Sequence, residues 1–503
     1  MNTVVPTPPV RSRGRRSRYD VIVVGSGVGG SVTAGMLAAT GHSVLVLEKN
    51  GALGGILASY RRAGFKMDAG SHLISRGAHG PLADALRAVG ATAPRFLPHE
   101  IPVRSRGMFE LTAPPHRRGL LAVAREAARL LNLSVADQAH LARMLFQVFT
   151  LTEFELRRLD RRTLHDFIHQ HTDQPSVYFL FSFLASIFFV LPPWQVSAGE
   201  AIRCLRWVLR AYQLSYVEGG MDSFTNALLA PVDRAGGDIV NRTRVVGVRR
   251  SNQHLVVTTA AGDDYRASAV ACNLAPSEAV GLYEGAVPDH YRGRVASIRP
   301  SGNAHQIKLA LSRPLVDEGC IIGGVSPSGL GVADLSLELM DRMVDDIDAG
   351  RLSDPVAFYA PVPTNYDPSL APPGCQLIVC SIYGPTCRDP EASDEAWFEH
   401  SMTALRQLLP GLDDALIFAE YAPITRIGEW MGRRSLGAIA NGQFPGQVGR
   451  DRLGVTTPIP GLYLCGDGAG GRGIGTELAT TSGMQAAAAI AEYLAVARAK
   501  RAA

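Results

Sequence analysis

The sequence predicts an α/β protein in which a Rossmann-like dinucleotide-binding domain is interleaved with an α+β domain. Three observations predict this class. A buried-strand pattern near the N terminus leads directly into a glycine-rich turn and a helix. A second strand, glycine loop and helix lie at residues 458–494, and short strands occupy residues 244–273 between the two motifs. Because such glycine turns lie at the carboxyl ends of parallel strands, we expect both motifs to serve one site.

The N-terminal motif is a complete strand, turn, helix and strand unit. Residues 19–24 form the first strand, the helix runs to about Thr40, and residues 44–47 form the second strand. The glycines allow a tight bend and a close approach to a pyrophosphate, while the helix N terminus offers free N–H groups. Glu48 is placed to accept from a ribose hydroxyl. We predict dinucleotide binding, rather than an ordinary glycine turn, through Gly25, Gly27, Val28, Gly29, Gly30, Glu48 and Lys49.

The C-terminal motif places a carboxylate beside a second glycine loop. A strand ends in Gly466 and Asp467, and the loop then leads into an alanine-rich helix. Such a turn presents a carboxylate and free amides where α/β sheets bind ligands. Asp467 could accept from the ribityl chain of a flavin, and amides near residues 474–477 could face its ring. A flexible turn is the alternative, but the pairing with the first motif favours a cofactor site that includes Gly466, Asp467, Ile474, Gly475 and Thr476.

The first part of the chain between the two motifs has the pattern of apolar helices. Residues 118–167 carry apolar side chains at three- and four-residue spacing. Residues 177–191 form an apolar run rich in aromatics and stopped by prolines. The run is shorter than the roughly 20 residues that cross a bilayer. We expect a buried helix that lines a large apolar cavity, dips into a membrane interface or simply packs in the core.

Composition and charge exclude several classes of protein. The chain has 503 residues, of which 46% are hydrophobic and 19% charged, and this composition is globular. The net charge is +4, but residues 1–18 carry five arginines and no acid, so the remainder has a charge of −1. A nucleic-acid partner is therefore not expected. Seven cysteines without C-x-x-C spacing indicate neither a disulfide framework nor a metal site, and favour a cytoplasmic location.

The two motifs together resemble the FAD-dependent oxidoreductases that include amine oxidases, protoporphyrinogen oxidase and the phytoene desaturase, carotenoid isomerase and retinol saturase group. The resemblance covers residues 19–75, about 216–273 and 458–494, and it is weak elsewhere. It implies FAD as the cofactor, bound by a Rossmann-like domain of glutathione-reductase type.

The positions of the motifs predict a discontinuous domain organisation. An Arg-rich tail at residues 1–18 is expected to be disordered, with a transit peptide as the alternative reading. The FAD-binding domain is predicted at residues 19–105, 216–290 and 422–503, and the substrate domain at residues 106–215 and 291–421.

The resemblance also implies further cofactor contacts. A second glycine cluster matches Gly54, Gly55 and Ile56, and an aspartate-glycine turn beside the flavin matches residues 68–72, including Gly70, Ser71 and His72. The backbone of Val246 is expected to contact adenine. Amine oxidases of the family usually have arginine after the paired glycine, whereas this chain has Ile56, which looks more like the carotenoid and retinol branch.

Three residues are candidates for catalysis. His72 could move a proton beside the flavin, or could only hydrogen-bond backbone. Lys308 could lie near the flavin, as a strand lysine does in many amine oxidases of this family, or could be a strand-edge lysine in solvent. Glu477 could steer a polar substrate, or could belong to the surface.

Three functions remain open at this point. The first is desaturation or isomerisation of an apolar, carotenoid-like polyene by hydride transfer to flavin. The second is oxidation of an amine or amino acid to an imine with release of hydrogen peroxide, and the third is a non-catalytic carrier. We prefer the first, with a small apolar substrate as the partner and peripheral contact with the inner face of a membrane as an additional expectation. The sequence decides neither the oligomeric state nor the electron acceptor.

Overall fold

The computed structural model describes residues 8–98, 103–108, 110–113, 125, 128–129, 133–331, 334, 336–387 and 389–502. Its strands are β1 (Arg18–Val24), β2 (Val44–Leu47), β3 (Ser59–Arg62), β4 (Phe65–Asp68), β5 (Phe96–Pro98), β6 (Val103–Gly107), β7 (Leu111–Ala113), β8 (Ser215–Val217), β9 (Asp238–Val240), β10 (Val245–Ser251), β11 (His254–Thr259), β12 (Asp264–Cys272), β13 (Asn303–Leu311), β14 (Cys320–Val325), β15 (Val356–Pro361), β16 (Gln376–Gly384), β17 (Leu416–Ala422) and β18 (Leu462–Leu464). Its helices are α1 (Val28–Ala39), α2 (Pro81–Val89), α3 (Val135–Thr150), α4 (Glu153–Leu159), α5 (Leu164–His169), α6 (Pro175–Phe189), α7 (Ala198–Ala211), α8 (Asp222–Arg234), α9 (Pro276–Leu282), α10 (Asp289–Ala296), α11 (Leu337–Asp348), α12 (Pro363–Tyr366), α13 (Asp394–Leu408), α14 (Leu412–Ala415), α15 (Ile424–Met431) and α16 (Gly475–Ala502).

The first sheet is built around buried parallel strands. β1 pairs with β2 on one side and with β12 on the other, and β9 extends the sheet beyond β2. The outer side of β12 takes two partners, because its first half pairs with antiparallel β11 and its last residues pair with parallel β18. Ile22 and Val24 enter one core, while Val21 and Val23 enter another on the opposite face. Burial on both faces explains why these strands are apolar at every position.

Helices from distant parts of the chain cover one face of this sheet. α1 packs against the C-terminal helix α16 and against α8. Gly35 permits the approach to α8, because a Cβ at that position would collide with the carbonyl oxygen of Leu228. Thr33 of α1 also donates to the carbonyl oxygen of Gly483 in α16 at 3.1 Å. The N- and C-terminal motifs are therefore held in one layer.

The second sheet has seven strands in the order β17-β13-β16-β15-β14-β6-β7, and β14 and β6 are parallel. Its centre is the antiparallel pairing of β13 with β16 along the whole of both strands. One face carries Ile307 and Leu309, which pack on Leu405 of α13. Gln306, at an alternate position of β13, faces the other way and borders the cavity described below.

A layer of helices, α3 to α7, lies beside the second sheet. These helices share one core that includes Met144, Phe167, Phe181 and Ile202. The apolar run at residues 177–191 lies in α6 and the turn after it, as the prediction of a buried helix expected. In the described ranges, no helix is long and apolar enough to cross a membrane.

The prediction of a disordered tail is wrong for residues 8–18. Arg11 bridges to Val240 beside the first sheet, and its Nε lies 2.9 Å from a carboxylate oxygen of Asp238. Arg15 Nε lies 2.6 Å from the same oxygen. The side chain of Asp238 is fully buried, so these arginines neutralise a charge that would otherwise be costly to bury. Residues 1–7 lie outside the described residues.

Candidate active site

The glycine motifs from the two ends of the chain meet directly. A Cβ at Gly29 would collide with the backbone of Gly466, and a Cβ at Gly27 would lie only 2.5 Å from Nδ2 of Asn273. Asn273 follows β12, and its Oδ1 would collide with a Cβ at Gly466. A side chain at Gly29 would separate the two loops, and one at Gly27 or Gly466 would displace the amide of Asn273, which is the physical reason for glycine there. The structure thus joins the two predicted motifs in one site.

Glu48 follows β2 and braces the first glycine loop. Its Oε2 accepts from the backbone N of Ser26 at 2.9 Å and from Ser26 Oγ at 2.7 Å, and its Oε1 accepts from the backbone N of Asn50 at 2.8 Å. An ionised carboxylate has about four acceptor sites. One site therefore remains for a ligand hydroxyl, and Glu48 borders the cavity where such a ligand would bind.

The second glycine cluster packs on the first. Gly54 and Gly55 have φ values of +105° and +60°, which favour glycine. A Cβ at Gly55 would lie 3.1 Å from the Cα of Gly27. Trp430 fixes the cluster from the other side, because its Nε1 donates to the carbonyl oxygen of Gly55 at 2.9 Å. Ile56, which follows, borders the cavity.

The turn after β4 is held by a buried carboxylate. Asp68 accepts from Ser59 Oγ at 2.6 Å, from the backbone N of Met221 at 3.2 Å and from the Tyr216 hydroxyl. Burial raises the pKa of Asp68, and these hydrogen bonds oppose the rise. Ser71 Oγ donates to the carbonyl oxygen of Val379 at 2.7 Å and so ties the turn to the second sheet.

His72 is the titratable group of this turn that borders the cavity. Its Nδ1 is buried and has no hydrogen-bond partner among the residues that the structure describes. Gly70 lies against the ring, and a Cβ at Gly70 would also lie 2.7 Å from Cγ1 of Ile56. Burial lowers the pKa of His72 to about 4, with the Gly70 backbone acting in the opposite direction. The imidazole is therefore neutral near pH 7.

Asp467 borders the cavity on the side of the C-terminal motif. Its two carboxylate oxygens accept from Arg433 Nη2 at 2.5 and 2.6 Å, and the backbone N of Ala440 donates to Oδ2 at 3.0 Å. The next glycine loop brings three more predicted residues to the same wall, namely Ile474, Gly475 and Thr476.

These residues line one end of a cavity of about 1360 Å³. Pockets for single small ligands usually have about 300–1,000 Å³, so this volume has room for a cofactor and a substrate together. The other end, which we call the apolar arm, runs between α3, α6, α7 and the second sheet. Its walls are mainly aliphatic and aromatic, and they include Leu145, Phe181, Ile187, Leu205, Val208 and Phe358.

The structure does not bring Lys308 to the cavity wall. Its side chain is 4% exposed, so the alternative of a solvent lysine is wrong. Nζ lies 2.8 Å from the Tyr60 hydroxyl and 4.0 Å from a carboxylate oxygen of Glu420. Burial lowers the pKa of Lys308 to about 8, although Glu420 opposes this change. β13 has a pairing strand on each side, and the β3–β4 hairpin supplies Tyr60, so the lysine is enclosed.

Glu477 is also turned away from the cavity. It is buried, and its carboxylate accepts from Ser75 Oγ at 2.9 Å and from Arg76, whose Nη2 lies 2.7 Å away. The Arg76 guanidinium in turn lies 4.9 Å from the ring centre of Trp207 in α7. The predicted role in steering a polar substrate is therefore corrected to a buried ion pair, which links the C-terminal motif to the apolar arm.

The backbone contact of Val246 with adenine remains a prediction, and the residue of β10 that borders the cavity is its neighbour Val245. Val246 is 50% exposed, whereas Val245 is buried and borders the cavity. The pairing of β10 with β11 changes register between Val245 and Gly247. Val245 and Val246 point to opposite faces of the sheet, as successive residues of a strand do.

Sequence reasoning missed several residues of the cavity wall. Asn273 follows β12 just as Gly25 follows β1 and Glu48 follows β2, so its position at a strand end was an available signal. Trp430 and Arg433 lie in and just after α15, where no motif marks them.

Comparisons with known proteins agree with this geometry. A family model described as flavin containing amine oxidoreductase matches residues 29–491. Prolycopene isomerase of Daucus carota is 24% identical over 498 residues, which cover 90% of this chain and 77% of that protein. All-trans-retinol 13,14-reductase of Danio rerio is 46% identical over 55 residues, which cover 11% of this chain and 9% of that protein.

Two solved structures share the fold. An oxidoreductase from Methanosarcina mazei has a TM-score of 0.67 at 20% identity, and covers 92% of this chain and 98% of its own. Cyclohexylamine oxidase from Brevibacterium oxydans has a TM-score of 0.59 at 17% identity, over 95% of this chain and 99% of its own. The predicted fold class, the FAD cofactor and the prediction of an enzyme rather than a carrier are confirmed. The chain belongs to the flavin containing amine oxidoreductase family and is an FAD-dependent oxidoreductase.

Proposed function

We propose that this enzyme desaturates or isomerises an extended, apolar, carotenoid-like polyene. The observation that carries the proposal is the apolar arm. It is continuous with the end of the cavity that the glycine motifs line, and its walls offer mainly aliphatic and aromatic surface. Burial of a hydrocarbon against such walls is favourable by about 25 cal/mol per Å², so no specific polar contact is needed to retain the substrate.

The residues present fit FAD at the other end. The loops of Gly25, Gly27 and Gly29 leave a surface without side chains at the N terminus of α1, which suits a diphosphate. Glu48 retains acceptor capacity for a ribose hydroxyl, and Asp467 borders the cavity where it can accept from the ribityl chain. FAD, when bound, supplies two-electron chemistry by accepting or returning a hydride.

The chain's own contribution is orientation and exclusion of water. A hydrocarbon substrate needs little proton transfer from the protein, and holding it in one geometry accounts for a large part of catalysis. We propose that His72 contributes a neutral polar group to the cavity wall. A proton on its ring would bury a charge, which is why its pKa is low.

The relatives support the choice of substrate class. Two of the proteins similar in sequence to most of this chain are named prolycopene isomerases, and a shorter match is named all-trans-retinol 13,14-reductase. Ile56 at the cavity wall is consistent with that branch, since it adds apolar surface where amine oxidases usually have arginine.

Oxidation of an amine is the second candidate. The family description and the fold shared with cyclohexylamine oxidase favour it. The specific observation is Lys308, which is buried and has a pKa lowered to about 8. Against this candidate, Lys308 is enclosed by Tyr60 and Glu420 instead of bordering the cavity.

The experiment is a substrate panel under anaerobic conditions. The holoenzyme is mixed with cis and all-trans polyenes, primary amines and amino acids, with the flavin either oxidised or previously reduced. Polyene products are separated by chromatography, and flavin reduction is followed by its visible absorbance. We expect a changed double-bond number or geometry in a polyene. Flavin reduction by an amine, with every polyene recovered unchanged, would establish the second candidate instead.

A further inference from the structure

Arg433 is a charged residue of the cavity wall to which neither motif assigns a role. It follows α15 and is 13% exposed. Its Nη2 donates to both carboxylate oxygens of Asp467, and its Nη1 donates to the carbonyl oxygens of Gly437 at 3.2 Å and Ala438 at 2.6 Å. These bonds use four of the five guanidinium N–H groups. The Nε–H has no hydrogen-bond partner in the part of the chain that the structure describes.

Two contacts hold this segment against the glycine loops. Trp430, three residues before Arg433, donates to Gly55, whose Cβ position is 3.1 Å from the Cα of Gly27. At the other end, Asp467 follows Gly466, whose backbone abuts the Cβ position of Gly29. The guanidinium is thus anchored on both sides to the loops at the N terminus of α1.

Other cations of the described cavity wall are less suited to that place. Lys49 follows Glu48 at the end of β2, and burial together with the charge of Arg244 lowers the pKa of Lys49. The Lys49 ammonium also donates to the carbonyl oxygen of Glu429. The side chain of Arg434 is 89% exposed and lies 3.6 Å from Glu278. Of these four, Arg433 alone combines burial with attachment to the glycine loops.

We propose that Arg433 supplies the positive charge that binds the diphosphate of FAD, while it keeps Asp467 in place. The second glycine cluster of this chain ends in the apolar Ile56 and contributes no charge of its own. A diphosphate carries two negative charges in a partly buried site, and an arginine held by a carboxylate can still offer its remaining N–H to a phosphate oxygen. Arg433 therefore favours FAD over flavins that lack phosphate.

The test compares FAD with riboflavin, which has no phosphate. Apoprotein of the parent, Arg433→Met and the neighbouring control Arg434→Met is titrated with each flavin, and quenching of flavin fluorescence gives the Kd. We expect Arg433→Met to raise the Kd for FAD about tenfold to a hundredfold and to leave the Kd for riboflavin within about threefold. Higher salt should weaken FAD binding to the parent more than to Arg433→Met.

Several outcomes would overturn the proposal. Equal weakening for both flavins would mean that Arg433 acts only through Asp467, and equal weakening in Arg434→Met would mean a diffuse effect of charge. If thermal unfolding shows that the Arg433→Met apoprotein is not folded, the same two titrations are made with Arg433→Lys and Arg433→Gln. The lysine variant should keep the preference for FAD and the glutamine variant should lose it; equal preferences would reject the idea. No substrate takes part, so this result is independent of the polyene assay.

Discussion

The two ends of the cavity are built in different ways. The dinucleotide end is made of backbone, because glycines at Gly27, Gly29 and Gly55 bring loops so close that side chains are excluded. The apolar arm is made of side chains from α3, α6, α7 and the second sheet. A backbone surface tolerates almost no substitution, whereas a side-chain wall can be rebuilt residue by residue. Cofactor selectivity and substrate selectivity can therefore change independently.

The largest expected effect is at the contact between the loops. Gly29→Ala should abolish most flavin binding and lower the free energy of unfolding by about 1–3 kcal/mol, because its Cβ meets the backbone of Gly466 rather than a movable side chain. Gly281→Ala is the control, since nothing lies near its Cβ position. The measurement is visible flavin absorbance per protein, with urea unfolding. A yellow Gly29→Ala protein would show that the loops can separate.

After loss of the flavin itself, the largest expected effect is on stability, at the ion pair between the two ends. Arg76→Met leaves the buried carboxylate of Glu477 without its partner and should cost about 3–5 kcal/mol of unfolding free energy. The double variant Arg76→Met/Glu477→Gln should recover much of this loss. Arg87→Met, which breaks an exposed pair with Asp84, should change stability by less than about 1 kcal/mol. Urea unfolding measures the free energy of unfolding of all three variants. An Arg76→Met protein as stable as the parent would show that the two ends are not coupled there.

A charge in the arm should separate substrate binding from cofactor binding. Val208→Glu places a carboxylate on the arm wall and should weaken polyene binding about tenfold or more, because the carboxylate must be desolvated. Flavin content should stay unchanged, and Val208→Thr, which has a similar shape and no charge, should bind polyene more tightly than Val208→Glu. Spectroscopic titration with a polyene provides the Kd. Loss of flavin in Val208→Glu would contradict the independence of the two ends.

The smallest expected effect is the loss of stability at low pH that His305 and His72 cause. Burial lowers the pKa of His305 to about 3 and of His72 to about 4, from about 6.5 in the unfolded chain. The unfolded state therefore binds more protons below pH 6.5, so stability is full above that pH and falls as pH drops. His305 contributes a loss of about 1.4 kcal/mol at pH 5.5. His72 borders the cavity, so water should make its share smaller.

The test is the slope of stability against pH. His305→Asn should flatten the slope between pH 7 and 5 more than His72→Asn does. Urea unfolding at several pH values measures the slope. Equal flattening by His305→Asn and His72→Asn would mean that the cavity beside His72 is as dry as the protein core.

The dinucleotide end could be predicted from sequence because its chemistry is local. The glycines, Glu48 and Asp467 directly follow recognisable strands, so their positions follow from the strand order. Lys308 and Glu477 could not be placed, since the partners that enclose them, Tyr60 and Arg76, are distant in sequence. The direction of a side chain on a strand or helix is set by such tertiary contacts.

The arm illustrates the same limit. Its apolar run was visible in the sequence, but which helices face it depends on the packing of α3, α6 and α7 against the second sheet. Arg433 depends on a loop whose position is set by Trp430. Neither the spacing of residues in the sequence nor its composition predicts this packing.

The late position of β18 and α16 has a consequence for biosynthesis. β18 completes the first sheet and α16 covers α1, yet both are encoded after residue 461. At about 5–20 residues per second, a ribosome needs roughly 25 to 100 s to translate 503 residues. During that time the N-terminal loop lacks Gly466 and Asp467 as neighbours. A nascent chain therefore cannot form the complete cofactor site before α16 is made, and flavin loading should act as a checkpoint that only chains extending past residue 475 pass.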